Sequence, residues 1–315
     1  MKRALVLSGG SIKGAFQAGA IAEILDGGFV PNAIYGISVG SLNGAFMTDR
    51  AGRAVRAKRK VNWPAIGKQL EDFWKKKIKS FNAIGKKRGG AGLLLNVVFN
   101  NFDGVIDTGK LRKLIYKEID EENLYNSPAS FSAGVVNLAT GDFVNADLGY
   151  PNIIEYIIGS TAIPIVMPVT MLAEQPLVDG GLRDVTTLKA AIEDGADEIT
   201  CVVCQARKVL GKNFDRENML QLADRIMDIA TNEIVNNDLE WAQFINTFCP
   251  KDGTPVVDGP LAGYRYIPIT VIRPAVEPAI KLDDFKEEEI AELLNLGHIA
   301  AKNAMRDRPA RPETP

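Results

Sequence analysis

The feature that most constrains this chain is the pentapeptide Gly36-Ile37-Ser38-Val39-Gly40. It follows the apolar run Ala33-Ile34-Tyr35 and precedes the small-residue run Ser41-Leu42-Asn43-Gly44-Ala45. The pattern is that of a strand turning sharply into a helix, with the serine at the strained tip and its hydroxyl exposed. Gly36 and Gly40 are steric requirements of such an elbow, because the turn brings backbones too close for a Cβ. The helix N-terminus beneath the serine adds positive dipole where an oxyanion would form. A plain glycine-rich turn with a surface serine would use the same five residues, so the motif needs support from elsewhere in the chain.

That support lies upstream. Arg3 to Leu7 reads as a short buried strand that runs into Ser8-Gly9-Gly10-Ser11-Ile12-Lys13-Gly14. Ala15 to Leu25 then carries apolar residues at helical spacing. Strand, glycine loop and helix present backbone N–H groups to an anion. A dinucleotide fingerprint would need a glycine where Ser11 stands, and a Walker loop would need Ser or Thr after Lys13, where this chain has Gly14. The third reading is an oxyanion loop for Ser38, which needs only N–H groups close to the serine. Adjacent parallel strands joined by one crossover helix place both loops at the same carboxyl edge of a sheet.

A serine hydroxyl also needs a base. The only histidine is His298, and the order Ser38, Asp179, His298 formally matches that of α/β-hydrolases. Placement argues against it, since Ser38 follows only the second strand and His298 lies inside a regular helical run, Leu293 to Ala300. A carboxylate acting directly on the serine is the better chemistry. Asp179 leads, between the apolar Leu177-Val178 and Gly180-Gly181, although Asp-Gly is also a common turn dipeptide. Asp184 and Asp107 are weaker candidates.

The rest of the chain fits an α/β protein. Its 315 residues are 46% hydrophobic and 24% charged, ordinary values for a globular enzyme with a sizeable core. Phe131–Leu138 and Asp142–Ala146 read as a hairpin, with a helix near 152–159. Pro164 and Pro168 are expected to hold 160–168 extended. Later come a helix at 185–194, a strand at 198–204, a long helix at 216–246, a strand at 266–272 and a closing helix at 284–306. One domain over 1–306 and a disordered tail at 307–315 are expected. Cys201, Cys204 and Cys249 make no disulfide framework, and without a second Cys/His pair the CxxC spacing reads as core.

The net charge of −2 hides an asymmetry: residues 50–90 hold fourteen Lys or Arg against two acids. This basic helical insertion, about 49–92, interleaves Trp63, Phe73, Trp74 and Phe81. It suits a solvated face packed by its aromatics, or a platform for anionic lipid headgroups. No nucleic-acid motif accompanies it. Gly89 to Gly92 reads as a hinge before an apolar flap, Leu93 to Phe99. The apolar run after Met1-Lys2-Arg3 is too short for a signal peptide, and no stretch approaches the length of a spanning helix. A cytoplasmic or peripheral membrane location is therefore expected.

Together, Gly9 to Gly14, the Gly36 to Gly40 elbow and Asp179-Gly180-Gly181 resemble the patatin-like phospholipase family. Gln17 and Gly19, Asp107-Thr108 before Leu111-Arg112, and Ser160 to Pro168 are similar to the family as well, so the likeness covers roughly 3–245. It implies a three-layer α/β fold with a mainly parallel sheet. It also implies a Ser38–Asp179 dyad that hydrolyses phospholipid or lysophospholipid esters at a membrane surface, with no metal or cofactor. The loop of Gly9, Gly10, Ser11, Lys13 and Gly14 would hold the oxyanion, and Lys13 would meet a phosphate headgroup or point to solvent. Ser11 departs from the family, which usually has a third glycine there. An acyltransferase and a non-catalytic lipid-binding protein are the rival readings.

Overall fold

The structure is a computed structural model that describes residues 1–89, 103–211 and 215–307. Its centre is an eight-stranded sheet built from β1 (Arg3–Leu7), β2 (Ala33–Ile37), β5 (Ser130–Asn137), β6 (Phe143–Asp147), β7 (Thr170–Leu172), β8 (Gln175–Asp179), β9 (Glu198–Val202) and β10 (Ile269–Ile272). A separate two-stranded pairing joins β3 (Lys86–Lys87) to β4 (Ile106–Asp107). The order is β10-β9-β1-β2-β5-β8-β7, with β6 also paired to β5. The strands from β10 to β5 run parallel, β6 and β8 pair antiparallel to β5, and β7 pairs antiparallel to β8. The fold is α/β, with a mostly parallel sheet flanked by helices.

The sequence explains why β1 sits at the centre. Leu5 and Leu7 enter one core while Ala4 and Val6 enter the other. Alternation of two apolar sets is what a strand covered on both faces needs. Helix α1 (Gly14–Asp26) carries the chain from β1 to its parallel neighbour β2, and helix α2 (Val39–Arg56) leaves β2.

Two expectations need correction. The stretch 160–168 is not extended: its middle turns tightly, with the Met167 N–H donating to Ile163 O at 2.8 Å and Ile165 at a φ of 68°. Each proline restricts itself and the residue before it, which leaves Ile165 and Val166 ungoverned. Val166 O accepts from Val105 N and Ile106 N, and those bonds fix the turn.

The basic segment is not a separate insertion at its start, since residues 49–56 continue α2 without a break. The following helix, Trp63–Lys77, buries Trp63, Phe73 and Trp74. Several of its neighbours' charges are matched within the chain: Arg50 by Asp49 and Glu118, Arg56 by Glu122, Lys87 by Asp283 and Arg88 by Asp103. Apart from Gly89, the expected hinge and flap lie outside the described residues, as does the tail beyond Asp307.

A buried polar chain locks these layers together. Trp74 Nε1 donates to Asn43 Oδ1 at 2.9 Å, and Asn43 Nδ2 donates to Gln17 Oε1 at 2.9 Å and to Gly14 O at 3.1 Å. Gln17 Nε2 reaches Ser8 O and Val202 O, both at 3.2 Å. Removing the middle member strands the Trp74 donor on one side and the Gln17 and Gly14 acceptors on the other, and a buried unpaired group costs about 1–3 kcal/mol. Asn43→Ala is therefore expected to lower the urea-unfolding free energy by about 2–3 kcal/mol. An unchanged midpoint and slope would mean that the layers hold without this chain.

Candidate active site

Ser38 occupies the junction of β2 and α2 with φ 54° and ψ −124°, a backbone conformation that non-glycine residues hold only when their surroundings force it. The forcing groups are visible. Ser38 N donates to Ser160 Oγ at 2.8 Å, and Ser160 Oγ donates to Gly134 O at 2.7 Å. Ser38 O accepts from Ser41 N and Ser41 Oγ. Gly40 is needed because a Cβ there would lie 2.2 Å from Leu7 O, so the end of β1 rests directly on the elbow. Ser38 is not exposed as expected: only 5% of it is accessible, at the floor of a cleft.

The glycine loop passes against it. A Cβ on Gly9 would stand 3.3 Å from Ser38 Cβ. Gly9 N donates to Val185 O, and Gly9 O accepts from Ser8 Oγ at 2.8 Å and Gln205 Nε2 at 3.1 Å. Gly10 lies on Cys204, whose Cβ would be 2.2 Å from a Cβ at that position. Cys204 thus packs the underside of the loop, and burial pushes its thiol up to about 12. Gly10 and Ser11 follow at the first turn of a short 3-10 helix, Ser11–Lys13, where amides have no intrahelical acceptor. Ser11 fits the loop with a φ of 52°, and its buried hydroxyl has no hydrogen-bond partner among the described residues.

Lys13 does not point to solvent. It is 7% exposed and bonds Glu277 Oε1 at 2.5 Å and Asp228 Oδ1 at 3.3 Å. Burial alone would lower its pKa, but the two carboxylates outweigh it and hold the ammonium charged above its ordinary range. The residue ties the glycine loop to the helix Met219–Phe248 and to the strand-to-helix connection that follows β10.

Asp179 ends β8 and is 4% exposed. Its Oδ1 accepts from Gly181 N at 2.8 Å, and the Ser38 side chain is close enough to the carboxylate to favour its charged form. Burial raises its pKa to about 6, against the lowering effect of those two groups. Gly9, Gly10, Ser11, Lys13, Ser38 and Asp179 all line a cleft of about 360 Å³. A second pocket of about 50 Å³ opens beside Ser38 and Ser11 between Val39, Leu42, Trp74, Leu111 and Met167.

The other candidates are elsewhere. His298 sits between two acids, Nδ1 at 3.0 Å from Glu23 and Nε2 at 2.6 Å from Glu71. Asp184 accepts from Thr186 N and Thr187 N, and Asp107 from Gly109 N. Ser160 and Gln205 carried no individual signal in the sequence, because their partners are 122 and 196 residues away.

The model of the patatin-like phospholipase family matches residues 5–192, a span that runs from β1 through the glycine loop and the elbow to beyond Asp179. The chain belongs to the patatin-like phospholipase family. That family consists of serine ester hydrolases, so the chain is a lipid acyl hydrolase in general character. Among solved structures, VipD from Legionella pneumophila aligns over 98% of this chain and 67% of its own, with 13% identity and a TM-score of 0.44. No curated protein matches the sequence.

A carboxylate must be ionised to accept a proton, so with Asp179 as base the rate falls as pH drops through the raised value. The logarithm of kcat/KM is expected to rise with unit slope below pH about 6 and to level above it. His298→Ala is expected to leave this profile and the plateau within about twofold. A profile flat from pH 4.5 to 8, or one abolished in His298→Ala, would remove Asp179 from that role.

Proposed function

We propose that this patatin-like protein hydrolyses the acyl esters of phospholipids or lysophospholipids with a two-residue apparatus, Ser38 and Asp179. The observation that carries the reading is that Ser38 and the buried carboxylate of Asp179 line one cleft, close enough for the serine to act on the carboxylate's titration. Asp179 takes the hydroxyl proton as Ser38 Oγ attacks the ester carbonyl. The tetrahedral oxyanion forms against the amides of Gly10 and Ser11, each such donor contributing about 3–4 kcal/mol. Its collapse expels the alcohol, which recovers the proton from Asp179. Water then attacks the acyl-enzyme, with Asp179 again as base.

The two cavities suit the two halves of such a substrate. The smaller one is walled by apolar side chains and adjoins Ser38, as an acyl chain requires. The larger brings Lys13, Arg225, Asp228 and Glu277 to the same serine, as a polar headgroup requires. No helix among the described residues is long and apolar enough to cross a membrane.

The decisive measurement is intact mass after incubation with a long-chain alkyl phosphonate. One adduct is expected on the wild type and none on Ser38→Ala. Asp179→Asn should lose about 10²–10⁴-fold in kcat with its melting temperature retained. No adduct on folded wild type, or full activity in Asp179→Asn, would end the dyad reading.

A further inference from the structure

Several exposed apolar side chains that the chemistry does not use line the cleft or stand next in the chain to residues that do. Helix Met219–Phe248 turns Gln221, Arg225 and Asp228 toward the cleft. One residue further on at each step stand Leu222, Ile226 and Ile229, a stripe about 100° around the helix. Stripes at this spacing normally face a core. Here Ile226 is 56% exposed and Ile229 50% exposed.

Three other segments repeat the arrangement. Ile165 lies between the cleft-lining Ile163 and Val166, and it is 60% exposed. It holds a φ of 68°, in which a β-branched residue is a genuine outlier, yet it buries little in return. Leu210 lines the cleft and is exposed, and exposed Val276 immediately precedes Glu277. Four separate stretches of chain thus set apolar side chains next to one opening. A rim of that kind marks an interaction surface.

The charges point to the occupant. Arg225 and Lys281 are among the cleft-lining residues. The acids beside them are met by cations, Asp228 and Glu277 by Lys13 and Asp283 by Lys87. Apolar side chains around a mouth that carries cations match the acyl region and the phosphates of a bilayer. We propose that this rim, rather than the basic segment 50–90, is the face that docks on a phospholipid membrane, seating the cleft over its substrate. The proposal rests on the lipid-hydrolase reading for its purpose but not for its test. Apolar insertion and electrostatic attraction also differ in salt, which screens exposed charges and leaves buried apolar area intact.

The test is co-sedimentation of Ser38→Ala protein with vesicles of phosphatidylcholine and phosphatidylglycerol at 0.1 and 0.5 M NaCl. Adding Ile226→Glu and Ile229→Glu together should reduce partitioning at least tenfold at both salt concentrations. In the Ser38 background the same pair should leave turnover of a monomeric short-chain ester within about twofold. Ile165→Asn, which suits a left-handed backbone, tests the rim from another segment and should weaken binding severalfold with no loss of melting temperature. Undiminished binding in these folded variants overturns the proposal. So does binding that vanishes at 0.5 M NaCl and in Lys75→Gln/Lys76→Gln/Lys77→Gln, which would make the basic segment the docking face. A wild type that is dimeric and non-binding, with the rim variant monomeric, would assign the rim to a second copy. Rim-dependent vesicle binding by a protein that cleaves no ester would sink the hydrolase reading and leave the docking face standing.

Discussion

The site depends on a carboxylate buried with no cation beside it. Among the described residues, Asp179 is met by one amide with the Ser38 side chain close by, and burial dominates its titration. Asp49 shows the alternative within the same molecule. It is fully buried but accepts from Arg50, from Asn123 Nδ2 and from Asp120 N, with Arg53 in reach. A carboxylate surrounded by cations and donors has its lone pairs taken up in tying segments together. One left half-satisfied is raised toward neutrality, which is where a general base works best. The two aspartates differ in surroundings, not in residue type, and that difference is what suits Asp179 to the base role proposed for it.

The sheet is what brings such an acid to the serine. Parallel pairing of β1 with β2 sets the glycine loop against the elbow, and antiparallel pairing of β5 with β8 matches Val135 to Asp179. Gly134, next to Val135, accepts the Ser160 hydroxyl that in turn holds Ser38 N. One run of β5 thereby positions both members of the pair. The strain at Ser38 is maintained by hydrogen bonds from chain segments that close only when the sheet is complete.

What was legible in the sequence follows from how local each cause is. Gly36, Gly40 and the glycine loop could be read because backbone crowding is a local demand with a fixed residue answer. Strands β1 and β2 could be read because a strand covered on both faces must be continuously apolar. The turn at Ile165 could not, since it is set by hydrogen bonds from Val105 and Ile106 and opposes the residue's own preference. Lys13 could not either. Its neighbours Asp228 and Glu277 are 215 and 264 residues away, and a lysine beside a glycine loop looks solvent-facing until they are placed. The pairing of Arg50 and Arg56 was hidden for the same reason, because the acids that answer them come from 118–122.

Ser11 is where local rule and global context meet. A glycine would hold its φ of 52° without penalty, whereas a side chain there costs about 1–2 kcal/mol. That penalty falls on the stability of the loop, and the loop has other anchors. Gly9 is fixed on both its N–H and its carbonyl, Gly10 is seated on Cys204, and Lys13 is held by two carboxylates on separate elements. In the oxyanion role proposed for the loop the donors are backbone amides, and a Cβ leaves the N–H of Ser11 in place. An oxyanion donor contributes about 3–4 kcal/mol, more than the strain of keeping it. A serine at this position therefore costs the loop stability without removing the amide that the proposed oxyanion role needs.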